Sequence, residues 1–239
     1  MATLGTAVSV FGLGYVGCVS AACFAKQGFD VVGVDVSQAK VHSINEGLAP
    51  IVEKGLEELM AKGVSSGRLR ATTDAREAVL KSEVSMICVG TPSQPNGSLG
   101  LAYVHQTCLD IGAVLKEKAD YHLVVLRSTV LPGTLASVVI PALEAASGRK
   151  EGVDFGVCNN PEFLREGTAV HDYDNPPKTV IGARSEKSAG LLKGLYAHLP
   201  GPMITTTPDV AELVKYADNS WHAVKVAFAN EIGVLAKAY

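Results

Sequence analysis

Short runs of apolar, β-branched residues recur along the chain, with longer helix-like stretches between them. Ala7–Phe11, Val31–Val34, Val84–Val89 and Leu123–Leu126 are almost continuously apolar, as strands are when both faces are buried. Their alternation with helical segments predicts βαβ units and a parallel sheet covered on both sides, an α/β fold. Phe155–Cys158 and Thr179–Ile181 read as further strands, separated by a long polar loop holding Pro161, Pro176 and Pro177. The stretch Leu199–Thr207, with Pro200, Gly201 and Pro202, is linker-like. A long helix is predicted from there, with Thr207 as N-cap, Pro208 at N1 and Asp209 and Glu212 in the first turns. Val210, Leu213, Val214, Ala217, Trp221, Val224, Phe228, Ile232 and Leu235 recur along it at helical spacing and are expected to face a core.

The opposite side of that helix is polar in an unusual way. At about 100° per residue, Lys215, Asn219, His222 and Asn230 fall within an arc of about 80°. Two asparagines in mid-helix each cost some tenths of a kcal/mol against good helix formers, so something should compensate. A polyhydroxylated, anionic ligand across this face would do so. The alternative is a partner-facing or wet face with a structural polar network.

The first strand runs directly into Gly12-Leu13-Gly14-Tyr15-Val16-Gly17 and then an apolar helix over Cys18–Gln27, and the second strand ends in Asp35. In such a turn the first glycine permits the tight bend, the second lets backbone approach a pyrophosphate, and the third lets helix and strand pack closely. The helix N-terminus adds N–H groups and positive dipole. Asp35, 23 positions after Gly12, is placed to accept hydrogen bonds from the ribose hydroxyls of an adenine dinucleotide and to repel a 2′-phosphate, so NAD is expected over NADP. The fold predicted is a Rossmann-like, doubly wound, mostly parallel sheet followed by the start of a long central helix.

Thr91 and Thr129 follow the predicted third and fourth strands, whose carboxyl ends face the ligand crevice in an open α/β sheet. Their hydroxyls could serve a cofactor or a catalytic water, or simply cap loops before proline. Glu162 and Glu166 flank Arg165 in the loop after Phe155–Cys158. A carboxylate there could act as general base or hold a water, and Glu166 could bind sugar hydroxyls. The alternative is a helix start with Pro161 at N1.

Composition narrows the partners. With 21 Lys+Arg against 24 Asp+Glu and 47% hydrophobic residues in 239, the chain is globular, about 1.6 typical domains long, and lacks the basic field that nucleic acid requires. Residues 1–25 carry no charge, but no basic segment precedes them, Lys26 ends the run and glycines interrupt it, so neither a membrane span nor a signal peptide is expected. The cysteines Cys18, Cys23, Cys88, Cys108 and Cys158 are scattered without metal-site spacing, which suits a cytoplasmic protein with free thiols and no metal.

Together FGLGYVG, ICVGTP, VLRSTVLPGT, NNPEFLREG and KYADNSWHAVKVAFANEIG, in this order, resemble the nucleotide-sugar 6-dehydrogenase family, which includes UDP-glucose and GDP-mannose dehydrogenases. DYDNPPKTVIG and NSWHAVKVAFANE look more like the GDP-mannose branch, used in alginate-type polymer synthesis. The resemblance implies NAD as cofactor and a nucleotide sugar as substrate. Its C6 alcohol would be oxidised to a carboxylate in two hydride transfers, GDP-mannose giving GDP-mannuronate, through an aldehyde trapped on a cysteine and hydrolysed as a thioester. UDP-glucose oxidation, or a non-catalytic NAD-binding module, are the alternatives.

Carried over by position, the resemblance makes Gly12, Leu13, Gly14, Tyr15, Val16, Asp35, Lys40, Thr91 and Thr129 cofactor contacts, with Thr129 also near the chemistry. It assigns Glu162 to acid/base work and water positioning, Lys215 and Asn219 to stabilising a developing oxyanion, and Glu166, Lys215, Asn219, His222 and Asn230 to substrate. Residues 1–203 would be the NAD-binding domain, and 204–239 the beginning of a central helical domain through which the parent enzyme forms homo-oligomers. The family's nucleophilic cysteine lies in a GGSCxPKD-like segment that has no counterpart here. The resemblance therefore implies an amino-terminal portion of a longer enzyme, inactive alone. Gly100, where the family pattern has Asp, is a smaller departure.

Overall fold

In a computed structural model that describes residues 6–239, eight strands among the described residues form one sheet. They are β1 (Ala7–Phe11), β2 (Asp30–Val34), β3 (Leu69–Thr72), β4 (Val84–Ile87), β5 (His122–Leu126), β6 (Phe155–Asn159), β7 (Thr179–Ala183) and β8 (Met203–Thr206), in the order β3-β2-β1-β4-β5-β6-β7-β8. The first six run parallel, β7 pairs antiparallel with β6, and β8 runs parallel to β7. The chain reverses its direction of travel across the sheet between β1 and β4, and at such a switch point a crevice opens beyond the carboxyl ends of the strands. The uncharged residues before Thr6, which open the stretch weighed above as a possible leader, lie outside the described residues.

The helices are α1 (Tyr15–Lys26), α2 (Gln38–Asn45), α3 (Leu56–Ser65), α4 (Ala75–Leu80), α5 (Ala102–Leu115), α6 (Ile140–Ser147, preceded by a π-helical turn over Leu135–Val139), α7 (Ala169–Asp174), α8 (Glu186–Tyr196) and α9 (Pro208–Ala238). Two apolar cores lie on the two faces of the sheet. Val8, Val10, Val31, Met86, Leu123 and Val125 meet α1, α3, α7 and α8 on one face, and Phe11, Val32, Val34, Ile87, Val124, Leu126 and Val157 meet α4, α5 and α6 on the other. This double cover is why the central strands are apolar at most positions on both faces, each such side chain contributing about 1.5–3 kcal/mol on burial. Among the described residues no helix is long and apolar enough to cross a membrane.

The predicted strands and helices are present with bounds moved by a few residues, and four local readings change. Strand β3 went unseen because it is an edge strand in which only Leu69 and Ala71 turn inward. The linker-like Leu199–Thr207 contains β8, an edge strand whose Ile204 is 45% exposed, so its apolar content is low and Pro and Gly dominate its surroundings. Pro161 begins no helix, since residues 160–165 are irregular. Thr207 occupies the N-cap of α9, but its side chain makes no capping bond.

The long helix departs most from expectation. Its apolar stripe is not core: Trp221, Val224 and Phe228 are 62%, 58% and 67% exposed. Ala211, Glu212 and Lys215, from the opposite side, are the residues it buries. The reason is the docking surface. Gly182 of β7 leaves room for Ala211 and Pro208 to approach closely, a Cβ there falling 2.6 Å from that of Ala211. Glu212 accepts N–H groups from Gly133 (2.6 Å) and Leu135 (2.8 Å), where the helical turn after β5 begins. A carboxylate at a helix start complements free amides and dipole. Burial pushes the Glu212 carboxyl up, and those two amides partly offset it.

At the amino-terminal rim of the sheet, a buried chain of side chains links Ser82 to Ser9 (2.9 Å), Ser9 to Ser85 (2.7 Å) and Ser85 to His122 Nε2 (2.8 Å). Burial, with the Lys118 ammonium nearby, pushes His122 down to about 3. The folded protein therefore refuses a proton that the unfolded chain accepts near pH 6.5, and stability drains as pH falls from 6.5 towards 3, by up to about 1.4 kcal/mol per pH unit. Urea unfolding at steps from pH 7 to pH 4 should show a shallower decline for His122→Gln than for the parent; identical slopes would contradict this.

Candidate functional site: a dinucleotide cleft beside a buried lysine–glutamate pair

The glycine turn is held by contacts that no side chain could share. Gly12 has φ +89°, and a Cβ on it would stand 2.9 Å from the backbone of Val89. A Cβ on Gly17 would lie 1.9 Å from the Gly12 carbonyl oxygen, so α1 rests directly on the turn. At Gly14, nothing stands within 4 Å of an added Cβ. This is the space a ligand's phosphates would fill. Gly14 is also the N-cap of α1, with no side-chain cap and no acid in the first turn, so the helix presents its free N–H groups and positive dipole to that space.

Asp35 sits where β2 ends. Its Oδ2 accepts from Leu13 N–H (2.8 Å) and Lys40 Nζ (3.3 Å), and its Oδ1 from Ser37 N–H (2.9 Å). Ser37 also caps α2 through Lys40 N–H, so Lys40 is carried to the carboxylate by the helix that this cap starts. Asp35, Lys40, Gly12 and Gly14 line one cleft of about 360 Å³, together with Val36, Val89, Tyr103 and Asp110. Leu13 itself turns into the core beneath Gly33. Val16 is half-buried, and the Tyr15 hydroxyl donates to Glu53 and to the Arg165 carbonyl (3.2 Å).

Beyond β4 and β5, Thr91 Oγ1 donates to the Thr129 carbonyl (2.8 Å) and Ser128 Oγ to that of Val89 (2.6 Å), which stitches the two loops together. Thr91 is thus tied to the neighbouring loop, and Thr129 lies beside it, half-buried.

Glu162 and Lys215 are far apart in sequence and meet in space. Lys215 Nζ lies 2.9 Å from Glu162 Oε1, with side chains 8% and 12% exposed. The Phe163 ring covers this pair, its centroid 5.4 Å from Lys215 Nζ and 4.3 Å from Lys178 Nζ. Glu162 Oε2 accepts from Leu164 N–H (2.6 Å), which fixes the carboxylate within its irregular loop. Glu166 is exposed, and Asn219, His222 and Asn230 stand exposed on α9 beyond its docked turns. Of the residues predicted for sugar and chemistry, the fold thus brings Glu162 and Lys215 into contact, keeps Thr129 half-buried at the β5 end, and leaves Glu166, Asn219, His222 and Asn230 in solvent.

Several residues here carried no sequence signal of their own. Arg127 is buried, donating to Asn160 Oδ1 (2.5 Å) and the Tyr196 hydroxyl (3.3 Å), and Asn160 Nδ2 donates to the Val180 carbonyl (2.8 Å). This network fixes the start of the Glu162 loop. Asp172 fixes its far end, accepting from the Arg165 backbone (3.0 Å) and guanidinium (2.7 Å), and the Arg165 bonds hold its carboxyl down to about 2. The five thiols are free and buried, and burial pushes each up to about 12. Such thiols stay protonated and unreactive. Among the described residues, no three His, Cys, Asp or Glu side chains cluster as metal ligands would.

Residues 6–200 match the UDP-glucose/GDP-mannose dehydrogenase family, NAD binding domain, and residues 209–239 match its central domain. The chain belongs to this family. It is 58% identical over 231 residues to a GDP-mannose 6-dehydrogenase of Pseudomonas savastanoi pv. phaseolicola, covering 97% of this chain and 53% of that protein. A UDP-glucose 6-dehydrogenase of Haloferax volcanii is 41% identical over 237 residues, covering 97% and 55%. In structure the chain is similar to a ternary complex of GDP-mannose dehydrogenase from Pseudomonas aeruginosa, with TM-score 0.93, 56% identity, and 95% of this chain and 52% of that one covered. The chain spans about half the length of the curated relatives it matches. Its cofactor is NAD, and the open space at Gly14, the uncapped helix and the rim carboxylate suit that dinucleotide.

The two glycines separate binding from stability. Gly14→Ala should fold normally and weaken NADH binding roughly tenfold, because the methyl occupies ligand space. Gly17→Ala should lower stability by about 2–3 kcal/mol because the methyl meets a carbonyl. Calorimetry and urea unfolding check both; a destabilised Gly14→Ala with unaltered affinity would reverse the assignment.

Proposed function

We propose that this chain is the cofactor-binding half of an enzyme that oxidises the C6 hydroxyl of a nucleotide sugar to a carboxylate, with GDP-mannose as the substrate and GDP-mannuronate as the product. The observation that carries this reading is the Lys215–Glu162 pair, buried on the same edge of the sheet as the dinucleotide cleft. Identity to GDP-mannose 6-dehydrogenases, well above that to the UDP-glucose enzymes, supports the choice of sugar nucleotide.

NAD supplies the hydride acceptor. Glu162, held by Leu164 N–H on one oxygen, is the group that takes the hydroxyl proton and later steadies a water. Lys215 pairs with Glu162, and with Asn219 one turn further along α9 offers donors to an oxygen on which negative charge builds. Thr129 stands at the β5 end of the same crevice. Glu166, His222 and Asn230 are assigned to the sugar nucleotide: they are polar, exposed and ready for a large ligand across α9. The division expected at 203/204 would cut β8, so we place the boundary between sheet and helix between Thr206 and Pro208 instead. The exposed stripe through Trp221, Val224 and Phe228 is an apolar surface of the sort that marks an interface, and we assign it to self-association. The free thiols suit the cytoplasm.

A second reading is favoured by the five inert thiols: the chain binds NAD and turns over nothing by itself. With GDP-mannose and NAD added, we expect binding of NAD and no sustained NADH formation from this chain. A chimera in which it replaces the corresponding half of the Pseudomonas aeruginosa enzyme should oxidise GDP-mannose, with kcat reduced about a hundredfold or more by Glu162→Gln. A folded, NAD-binding chimera that leaves GDP-mannose untouched would overturn the proposed substrate.

A further inference from the structure

Glu53 belongs to none of the motifs, yet it joins the two halves of the site. It lies between α2 and α3, is 8% exposed, and is served by neutral donors from two distant segments. The Tyr15 hydroxyl, from the first residue of α1, donates to Oε2. Gly167 N–H (2.7 Å), from the loop that carries Glu162 and Glu166, donates to the same oxygen, and Ala169 N–H (3.1 Å), at the start of α7 just after it, to Oε1. Burial alone would raise this carboxyl, but the Tyr15 and amide bonds outweigh it and hold it below the usual range. The same contact, with burial, pushes the Tyr15 phenol far up, so Tyr15 stays a donor.

The start of the loop is fixed by Arg127 and Asn160 and its middle by the contacts of Glu162, but its far part depends on few side chains. Residues 160–168 form no helix or strand, and 165–168 are exposed. Two carboxylates hold its far part, Asp172 through Arg165 and Glu53 through the amides of Gly167 and Ala169, and the Tyr15 hydroxyl adds one weaker contact to the Arg165 carbonyl (3.2 Å). Tyr15 meanwhile begins α1, whose free N–H groups line the space at Gly14. Anything that clamps this first turn also clamps the Tyr15 side chain, and through it the acid on which Gly167 and Ala169 hang. A ligand shifts a conformational balance only by its differential affinity for the two states, and here the helix turn is common to both contacts.

We propose that Glu53 is a positioning residue through which occupation of the dinucleotide cleft orders the Glu162–Gly167 loop, so that cofactor binding prepares the sugar side of the site. The proposal rests on the NAD reading of the cleft. Coupling of this kind is reciprocal: the loop's order must also favour the cofactor.

Amide hydrogen exchange on this chain, with and without saturating NADH, tests it. In the parent protein NADH should slow exchange in residues 12–18 and, by about threefold or more, in residues 165–170. In Glu53→Ala the slowing at 12–18 should persist while that at 165–170 disappears, and NADH affinity should fall by a similar factor. Tyr15→Phe, which removes only the hydroxyl, and Glu53→Gln, which keeps one acceptor oxygen, should lose part of the distant effect and serve if Glu53→Ala does not fold. Slowing at 12–18 with none at 165–170 in the parent, or distant slowing undiminished in all three variants, would overturn the coupling while leaving the cofactor site intact. A folded parent with no slowing at 12–18 would overturn the cofactor reading and the coupling with it.

Discussion

The carbonyl oxygen of Gly12 occupies the place where any side chain on residue 17 would begin, and the rest of the site depends on that contact. With helix and turn so close, the first N–H groups of α1 open onto the crevice at the β1/β4 switch point rather than into protein. Leu13 N–H is then close enough to β2 for the Asp35 carboxylate to take it, and this locks the acid at the rim. Backbone geometry, not a set of side chains, thus opens the space at the helix start, and one carboxylate is fixed at its rim.

A second constraint governs the chemistry side. The long helix reaches the domain by its polar arc, because Gly182 admits its first turn and Glu212 serves the amides at Gly133 and Leu135. Docked this way, the next turn delivers Lys215 to Glu162. Burying a charge is costly unless it is paired, so each of these residues requires the other. The apolar stripe points away from the sheet as a consequence of the same docking. A buried acid near a strand end, an irregular loop and a helix from another segment therefore act as one assembly.

Most of the fold was legible because each central strand is covered on both faces and so carries a largely apolar run, as in Val31–Val34 and Leu123–Leu126. The edges were not: Leu69–Thr72 and Met203–Thr206 have one neighbour each and too few inward side chains to stand out. The cofactor cleft was legible for a different reason, since glycine, helix start and acid lie within one local βαβ unit. Residues that act across the chain left no local trace. Glu53 serves an amide 114 positions away and Glu212 one 79 away, and nothing beside them in sequence reveals it. The stripe on α9 shows the limit of periodicity, which identified an apolar face correctly but not what that face meets.

If Asp35 clasps an adenosine ribose beside backbone amides, it should discriminate at the 2′ position. Parallel fluorescence titrations of NADH and NADPH against the chain and against Asp35→Ser check this. The parent is expected to bind NADH at least about tenfold more tightly than NADPH, through like-charge repulsion at the 2′ position, and Asp35→Ser to narrow or invert the gap. Equal or tighter NADPH binding by the parent, or a preference unmoved by the substitution, would contradict this role of Asp35.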